Sequence, residues 1–586
     1  MKKIKIKINN QEIECSADKN IYKVAKENGI FIPGLCGHPD FPAKANCRIC
    51  VVEIKGRKDL TTSCSTKAED GMEIITDSER VKKARNLNIE LIFAEHIEKC
   101  PTCVWRVNCA LLNFADRYKI EITRFPDRKG SRKIYKFGNS VEIDGTQCID
   151  CRNCIDACSL LQKINYLELK GKGHDQEVVP VKSHRLGGAG KKIDCIYCGQ
   201  CAVHCPVGSA QEQTHWEMVE NALNNKNKIV VAQFAPSIRV SIGEEFNIPY
   251  GKTVTGQVIS GLRKLGFKHV FDVNFAADIT TMVEAQELLE RLLSEKNPKS
   301  EIRNPKSEMP MFTSCCPAWV KYVEFYHPEL IPNLTTSRSP QIHLGGIIKT
   351  FWAEKMNINP KNIVVVSVMP CTAKKFESSR KEMKIKGVWP VDYVITTREF
   401  AWMLKKNNID FAKLKSGKPD NPLGEYSGAA AIYGGSGGVM ESALRTAQFL
   451  ACGKSKSKLC EVRLDFKDVR GMAGIKETIV NVAGKNVRVA VVNGIGNIDP
   501  ILRHLDKYDY IEVMACPGGC IGGGGQPIPT TPETRKKRIE ALYRIDKNKK
   551  IRKAHENKCA AEALGWLKKQ GKLECQVLHT KYKKRS

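Results

Sequence analysis

The chain has 586 residues, 42% hydrophobic and 27% charged, with 94 basic against 64 acidic side chains for a formal charge of +30. That length accommodates about four domains, and no run of 18 apolar residues is present, which excludes a membrane-spanning helix. The positive charge is spread along the whole sequence rather than gathered in one stripe, and ionised cluster thiolates would offset part of it. It therefore suits a docking face for an acidic electron carrier and argues against nucleic-acid binding.

Met1-Lys2-Lys3-Ile4-Lys5-Ile6-Lys7-Ile8 alternates with period two, as a strand does, and lacks the apolar core of a secretory signal. The expected location is the cytoplasm. In that reducing compartment 25 cysteines point to metal ligation rather than disulfides, and nearly all of them fall in tight groups.

Residues 1–78 carry Cys36, Cys47, Cys50 and Cys64 as C-x10-C-x2-C-x13-C, with Gly34, Gly37 and Pro39 near the first. Three thiolates in a wrapping loop and one more from a later strand fit a 2Fe–2S cluster, with a four-cysteine zinc site as the alternative. The spacing is not the plant type. It resembles the ferredoxin domain that leads complex I and multi-cluster hydrogenase subunits, which implies a β-grasp fold. Cys15 reads as an ordinary buried thiol.

Residues 79–118 contain His96, Cys100, Cys103 and Cys109, or H-x3-C-x2-C-x5-C. Leu87–Glu95 reads as helical, and its continuation would put His96 and Cys100 one turn apart on one face. One imidazole and three thiolates hold zinc or a 4Fe–4S cluster. The position between two cluster modules, and a resemblance to the His-ligated domain of the complex I large iron–sulfur subunit, imply the cluster.

In residues 140–222, Cys148, Cys151, Cys154 and Cys158 form C-x2-C-x2-C-x3-C, and Cys195, Cys198, Cys201 and Cys205 repeat it before Pro206. In this two-cluster signature the fourth cysteine of each run serves the other cluster. One set is then Cys148, Cys151, Cys154 and Cys205, the other Cys195, Cys198, Cys201 and Cys158. Ser159 stands where a proline is usual. One 2Fe–2S and three 4Fe–4S clusters in a row describe an electron wire.

From Lys228 apolar runs alternate with helical stretches, predicting an α/β domain over residues 226–533. Candidate strands are Ile229–Phe234, Val270–Val273, Ile363–Val368, Val391–Thr396, Val487–Val492 and Tyr510–Met514. Three motifs follow such runs: Thr313-Ser314-Cys315-Cys316-Pro317-Ala318-Trp319, Met369-Pro370-Cys371-Thr372-Ala373-Lys374-Lys375-Phe376-Glu377, and Glu512-Val513-Met514-Ala515-Cys516-Pro517-Gly518-Gly519-Cys520 with its glycine-rich continuation to Pro527. Loops beyond the carboxyl ends of α/β strands converge on one site, and glycines let backbone approach a bulky group.

These segments resemble the three signature motifs of iron-only (FeFe) hydrogenases, and the resemblance extends over essentially the whole chain in the order of the multi-cluster clostridial type. It implies two catalytic lobes around an H-cluster: a 4Fe–4S cubane joined to a diiron unit bearing CO, cyanide and an azadithiolate bridge. By position Cys316, Cys371, Cys516 and Cys520 would hold the cubane, Cys520 also bridging to the diiron unit. Cys315 would exchange a proton with the bridging amine, and Lys374 would donate to a cyanide. Met369 and Met514 would wall the diiron unit, with Gln341 near the bridging carbonyl and Ala235-Pro236-Ser237 near a cyanide. Glu284 and Glu287, at i and i+3 on one helix face, would relay protons with Thr335, which stands where the family commonly has serine. Ala318 and Pro517 are further departures that remove no ligand.

The resemblance implies reversible interconversion of H2 with two protons and two electrons. Electrons would leave for ferredoxin or, through a flavin-bearing partner subunit, for NAD(P), since no dinucleotide fingerprint is present here. Dedicated maturases would supply the centre. The alternatives are a non-catalytic electron-transfer or H2-sensing relative, and an assembly protein that keeps only cubane cysteines. Residues 297–308 repeat Asn-Pro-Lys-Ser-Glu and read as a surface insertion. Residues 534–586 resemble the small-subunit segment fused to many such hydrogenases. Cys452, Cys460, Cys559 and Cys575 have no cluster spacing and stay unassigned.

Overall fold

The computed structural model describes residues 2–181, 193–294, 308–452, 462–482 and 484–585. Most of the duplicated Asn-Pro-Lys-Ser-Glu stretch and Cys460 lie outside the described residues. No helix among the described residues is long and apolar enough to cross a membrane.

The alternating Ile–Lys start does form a strand, β1 (Lys3–Ile8), whose isoleucines face inward and lysines outward. With β2 (Gln11–Ser16), β3 (Val51–Ile54), β4 (Thr61–Thr62) and β5 (Glu73–Ile75) it makes a mixed sheet in the order β2-β1-β5-β3-β4. Cys15 packs in its core, as expected. The helix Glu79–Ala94 follows, started by Ser78, whose hydroxyl accepts the Val81 N–H. It ends at Ala94, before His96. Ile97–Thr102 is a 3₁₀ turn containing Pro101, so the helical face shared by His96 and Cys100 does not form. Proline cannot donate the backbone bond that a continuing α-helix would need.

β6 (Ile134–Phe137), β7 (Val141–Asp144) and β10 (Ala210–Glu212) form a three-stranded sheet at one end of the two-cluster region, and β8 (Leu167–Lys170) pairs with β9 (Glu177–Pro180) as a hairpin.

The α/β half holds two four-stranded sheets. One, in the order β12-β11-β14-β15, is wholly parallel: β11 (Ile229–Phe234), β12 (His269–Asp272), β14 (Ile363–Met369) and β15 (Tyr393–Thr396). β14, Ile-Val-Val-Val-Ser-Val-Met, is buried along nearly its full length, as a parallel strand covered on both faces should be. The other sheet runs β13-β18-β17-β16, from β13 (Met311–Phe312), β16 (Ile475–Val482), β17 (Lys485–Asn493) and β18 (Tyr510–Met514). Here β13, β18 and β17 are parallel and β16 is an antiparallel edge. The predicted strands are present, with ends displaced by a residue or two; β13 and β16 were not foreseen.

Candidate active site

Four chain crossings end at one place. β11 runs into Ala235-Pro236, β13 into Thr313–Cys316, β14 into Pro370-Cys371 and β18 into Ala515-Cys516. One cavity between the two sheets is lined by Cys316, Cys371, Cys516 and Cys520, together with Cys315, Lys374, Gln341, Met369, Met514, Ala235 and Pro236. The second motif arrives from the parallel sheet and the first and third from the other, so the site lies between lobes, beyond the carboxyl ends of the strands.

The lining is almost entirely buried. Burial pushes the Cys516 thiol well up and the Cys371 thiol up to about 12, with neighbouring cysteines adding to it. Burial raises all four thiols and the Lys374 cation offsets only part of that rise, a penalty that a metal cluster would relieve by taking them as thiolates. The polypeptide also leaves room for a group: Gly518 and Gly519 both take left-handed backbone between Cys516 and Cys520, and the Gln341 Oε1 is buried with no hydrogen-bond partner. The donor set fits an iron–sulfur cubane with a further group beside it.

Lys374 is held rather than free. Its Nζ donates to Glu377 Oε2 at 2.8 Å and to the Cys315 carbonyl at 3.0 Å. Burial lowers its pKa, but Glu377 outweighs that and the net shift is upward, so it remains a cation. The same Glu377 oxygen accepts from Gln341 Nε2 (3.0 Å) and Ser339 Oγ (2.8 Å). Glu377 thus fixes two cavity residues at once. Its place in the second motif was visible in the sequence, but its task was not. Ser237 does not line the cavity; its Oγ accepts from Gln526 Nε2 at 3.2 Å.

Glu284 and Glu287 sit on the helix Val273–Ser294. Burial pushes the Glu284 carboxyl up to about 8, with Glu287 and Glu512 adding and a hydrogen bond from Tyr510 opposing. Tyr510 Oη donates to Glu284 Oε1 at 2.6 Å. Burial also raises the Cys315 thiol, with Glu284 the next cause. Thr335 Oγ1 donates to Glu287 Oε2 at 2.7 Å, and Arg291 donates to Glu287 Oε1 at 2.6 Å. Among the described residues no direct hydrogen bond joins Glu284 to Cys315 or to Thr335. Tyr433, another cavity-lining residue, has its hydroxyl 2.8 Å from Thr281 Oγ1.

The accessory cysteines gather into separate groups. Cys148, Cys151, Cys154 and Cys205 line one small cavity, and Cys158, Cys195, Cys198 and Cys201 another, with the fourth cysteine of each run exchanged. His96, Cys100, Cys103 and Cys109 line a third despite the broken helix. Burial holds His96 neutral, its pKa lowered to about 4, and its Nδ1 is bonded to the Gln147 carbonyl at 2.9 Å. A neutral ring fixed by one nitrogen offers the other to a metal. Cys36 pairs with Cys47, and Cys50 with Cys64, through sulfur contacts among four buried thiols.

These sites are contiguous. Asn46, beside Cys47, donates to the Asp150 carbonyl at 2.9 Å, and the Gln147 carbonyl that holds His96 directly precedes Cys148. The Cys198 end abuts the catalytic cavity. Thr372 Oγ1 donates to the Tyr197 carbonyl (2.8 Å), Gln200 Nε2 donates to the Gly522 carbonyl (2.9 Å), and a Cβ on Gly524 would lie 2.6 Å from the Cys198 carbonyl.

Residues 228–524 match the family described as iron only hydrogenase large subunit, C-terminal domain. Residues 1–79 match a 2Fe-2S iron-sulfur cluster binding domain, 85–124 the NADH-ubiquinone oxidoreductase-G iron-sulfur binding region, 147–209 a 4Fe-4S dicluster domain and 532–585 the iron hydrogenase small subunit. The chain is 40% identical to the NADP-reducing hydrogenase subunit HndD of Solidesulfovibrio fructosivorans across the full length of both. It is 38% identical to iron hydrogenase 1 of Clostridium pasteurianum, over 98% of this chain and 99% of that one. The structure of the [FeFe]-hydrogenase HydA1 from Chlamydomonas reinhardtii superposes with a TM-score of 0.55 at 36% identity, covering 63% of this chain and 99% of that one.

Proposed function

The chain belongs to the iron-only hydrogenase family, and from that premise we propose that it interconverts H2 with two protons and two electrons at an H-cluster. The observation that carries the reading is the convergence of Cys316, Cys371, Cys516 and Cys520 on one buried cavity that also holds Cys315 and Lys374. When bound, that centre would supply the metal chemistry that binds and splits H2. The polypeptide supplies the rest. Cys316, Cys371, Cys516 and Cys520 would hold the cubane as thiolates. The Lys374 ammonium, kept charged by Glu377, offers its remaining hydrogen to an anionic ligand. Met369 and Met514 close the cavity with apolar surface, excluding water from a site where charge interactions are then stronger.

Protons would enter and leave the cavity through Cys315. Glu284 is the next titratable group, poised near neutrality at a pKa of about 8, which suits a group that must both take and give a proton. Thr335 and Glu287 continue the path through a 2.7 Å hydrogen bond. Bridging water is the simplest link across the two gaps.

Electrons would pass between the cubane and the Cys158/Cys195/Cys198/Cys201 cluster, then the Cys148/Cys151/Cys154/Cys205 cluster, and there the path forks to the 2Fe–2S and His96 sites. The backbone contacts between Gly524 and Cys198, and the bonds from Asn46 and His96 to the same short segment, support this branched order. A full-length likeness to a protein named as a subunit of an NADP-reducing hydrogenase favours a carrier reached through a partner subunit. Ferredoxin is the second reading, favoured by the formal charge of +30, which suits an acidic carrier.

The test is infrared spectroscopy of the full chain after anaerobic loading with iron, sulfide and a synthetic diiron complex. CO and cyanide bands that shift under H2 are expected, and in Lys374→Met the cyanide bands should move. A fully loaded protein that shows no such bands would refute the assignment of the cavity.

A further inference from the structure

The proposed relay has a solvent-side end that no part of the preceding reading assigns. Glu287 Oε2 accepts a second hydroxyl, Thr336 Oγ1, at 2.9 Å, and that oxygen in turn lies 2.9 Å from His579 Nδ1. Glu284 and Thr335 are almost wholly buried, whereas Thr336 and His579 are both partly exposed. His579 belongs to the C-terminal segment, immediately after the helix Lys572–Leu578. Its backbone is fixed: the N–H donates to Cys575, the carbonyl accepts Arg338 Nε at 2.8 Å, and it bridges to Ser337.

Resting on the relay reading, we propose that Thr336 and His579 form the port through which protons pass between solvent and Glu287, so that the C-terminal segment contributes a proton-transfer residue to the catalytic half. The hydrogen-bond sense favours this. Thr336 has one hydroxyl hydrogen and gives it to the Glu287 carboxylate, so the bond to His579 is donated by Nδ1–H. For an inward transfer a proton from water adds to His579 Nε2, the Nδ1 hydrogen moves to Thr336 Oγ1, and the original Thr336 hydrogen moves to Glu287 Oε2. Each atom then regains its valence, and tautomerisation of the ring resets the port; the outward transfer is the reverse.

The other neighbour of Glu287 cannot do this. Arg291 is buried and donates to Glu287 Oε1 and to the carbonyls of Asn333 and Leu334. A guanidinium does not deprotonate in proteins, so Arg291 orients Glu287 without passing its proton. Histidine is the side chain that changes charge readily near neutral pH.

The experiment uses the cluster-loaded full chain as wild type, His579→Ala, Thr336→Val and Glu287→Gln. H2 evolution from reduced methyl viologen and proton uptake after a single reducing flash, followed with a pH indicator dye, are both measured. For His579→Ala both rates should fall about tenfold or more, within the range of general acid–base effects, while cluster reduction seen by absorbance keeps its rate. Added imidazole should restore His579→Ala in a concentration-dependent way and leave Thr336→Val slow. Full rates in both port variants, with Glu287→Gln impaired, would overturn the port and leave the relay. Full rates in all three would remove the relay itself. Should His579→Ala fail to load, Thr336→Val carries the same decision.

Discussion

Tyr510→Phe removes one hydrogen bond from the proposed proton path. The Tyr510 hydroxyl donates to Glu284 Oε1 at 2.6 Å with both groups buried, and it is the largest influence opposing the rise of Glu284 to about 8. Glu284 is faced by Glu287 and Arg291 from its own helix, by Tyr510 and Glu512 from β18, and by Cys315 and Tyr433 across the cavity. All of these but Tyr510 are untouched by the change. A hydrogen bond to a charged acceptor contributes about 1.5–3 kcal/mol, and 1.36 kcal/mol corresponds to one pH unit. Loss of the hydroxyl therefore destabilises the carboxylate and should move the Glu284 titration up by about 1–2 pH units. The assay is H2 evolution against pH with reduced methyl viologen in excess. The limb governed by Glu284 should shift to higher pH in Tyr510→Phe, and a carboxylic C=O infrared band should persist to the same higher pH. Superimposable pH profiles together with an unmoved carboxyl band would refute the reasoning.

Three further changes follow from the same geometry. Glu377→Gln leaves Lys374 without its carboxylate and weakens the hold on Gln341 and Ser339; the expected cost is about 1–3 kcal/mol, read as a lower Tm and displaced cyanide bands. Gly524→Ala would drive a Cβ to 2.5 Å from Gly199 Cα, so electron delivery from the Cys198 cluster should slow, while an unchanged rate in flash reduction would contradict the contact. Asp40 accepts from both Arg535 terminal nitrogens at 2.8 Å and lies 3.0 Å from His204 Nε2, tying the first domain to the two-cluster region and the C-terminal helix. Asp40→Ala strands a buried arginine, a loss of about 3–5 kcal/mol, and hydrogen exchange in residues 2–78 should rise sharply.

The grouping of the cysteines was legible because each group takes most of its members from one short loop. The exchange of Cys158 and Cys205 between sites follows from the same local pattern. The grouping of His96 with Cys100, Cys103 and Cys109 was legible from spacing although the helix expected to carry it stops at Ala94, because a 3₁₀ turn brings Cys100 to the same cavity. Strand β16 escaped notice because Ile-Lys-Glu-Thr-Ile-Val-Asn-Val is a half-exposed edge whose charged residues mask its period. Tyr510, Thr336 and His579 were invisible for another reason. Thr336 meets Glu287 from 49 residues away, Tyr510 meets Glu284 from 226 and His579 meets Thr336 from 243, and neither periodicity nor spacing encodes such contacts. Cys315, Glu284, Thr335 and Glu287 were named in the sequence only through the resemblance to the family's motifs.

Hydrogen evolution from reduced methyl viologen, measured anaerobically on the loaded full chain and on Cys315→Ser, tests the central claim most directly. The account predicts sustained evolution by the native chain and its collapse in Cys315→Ser, with the infrared bands retained. A native chain that shows full iron content and intact CO and cyanide bands yet evolves no hydrogen would contradict it.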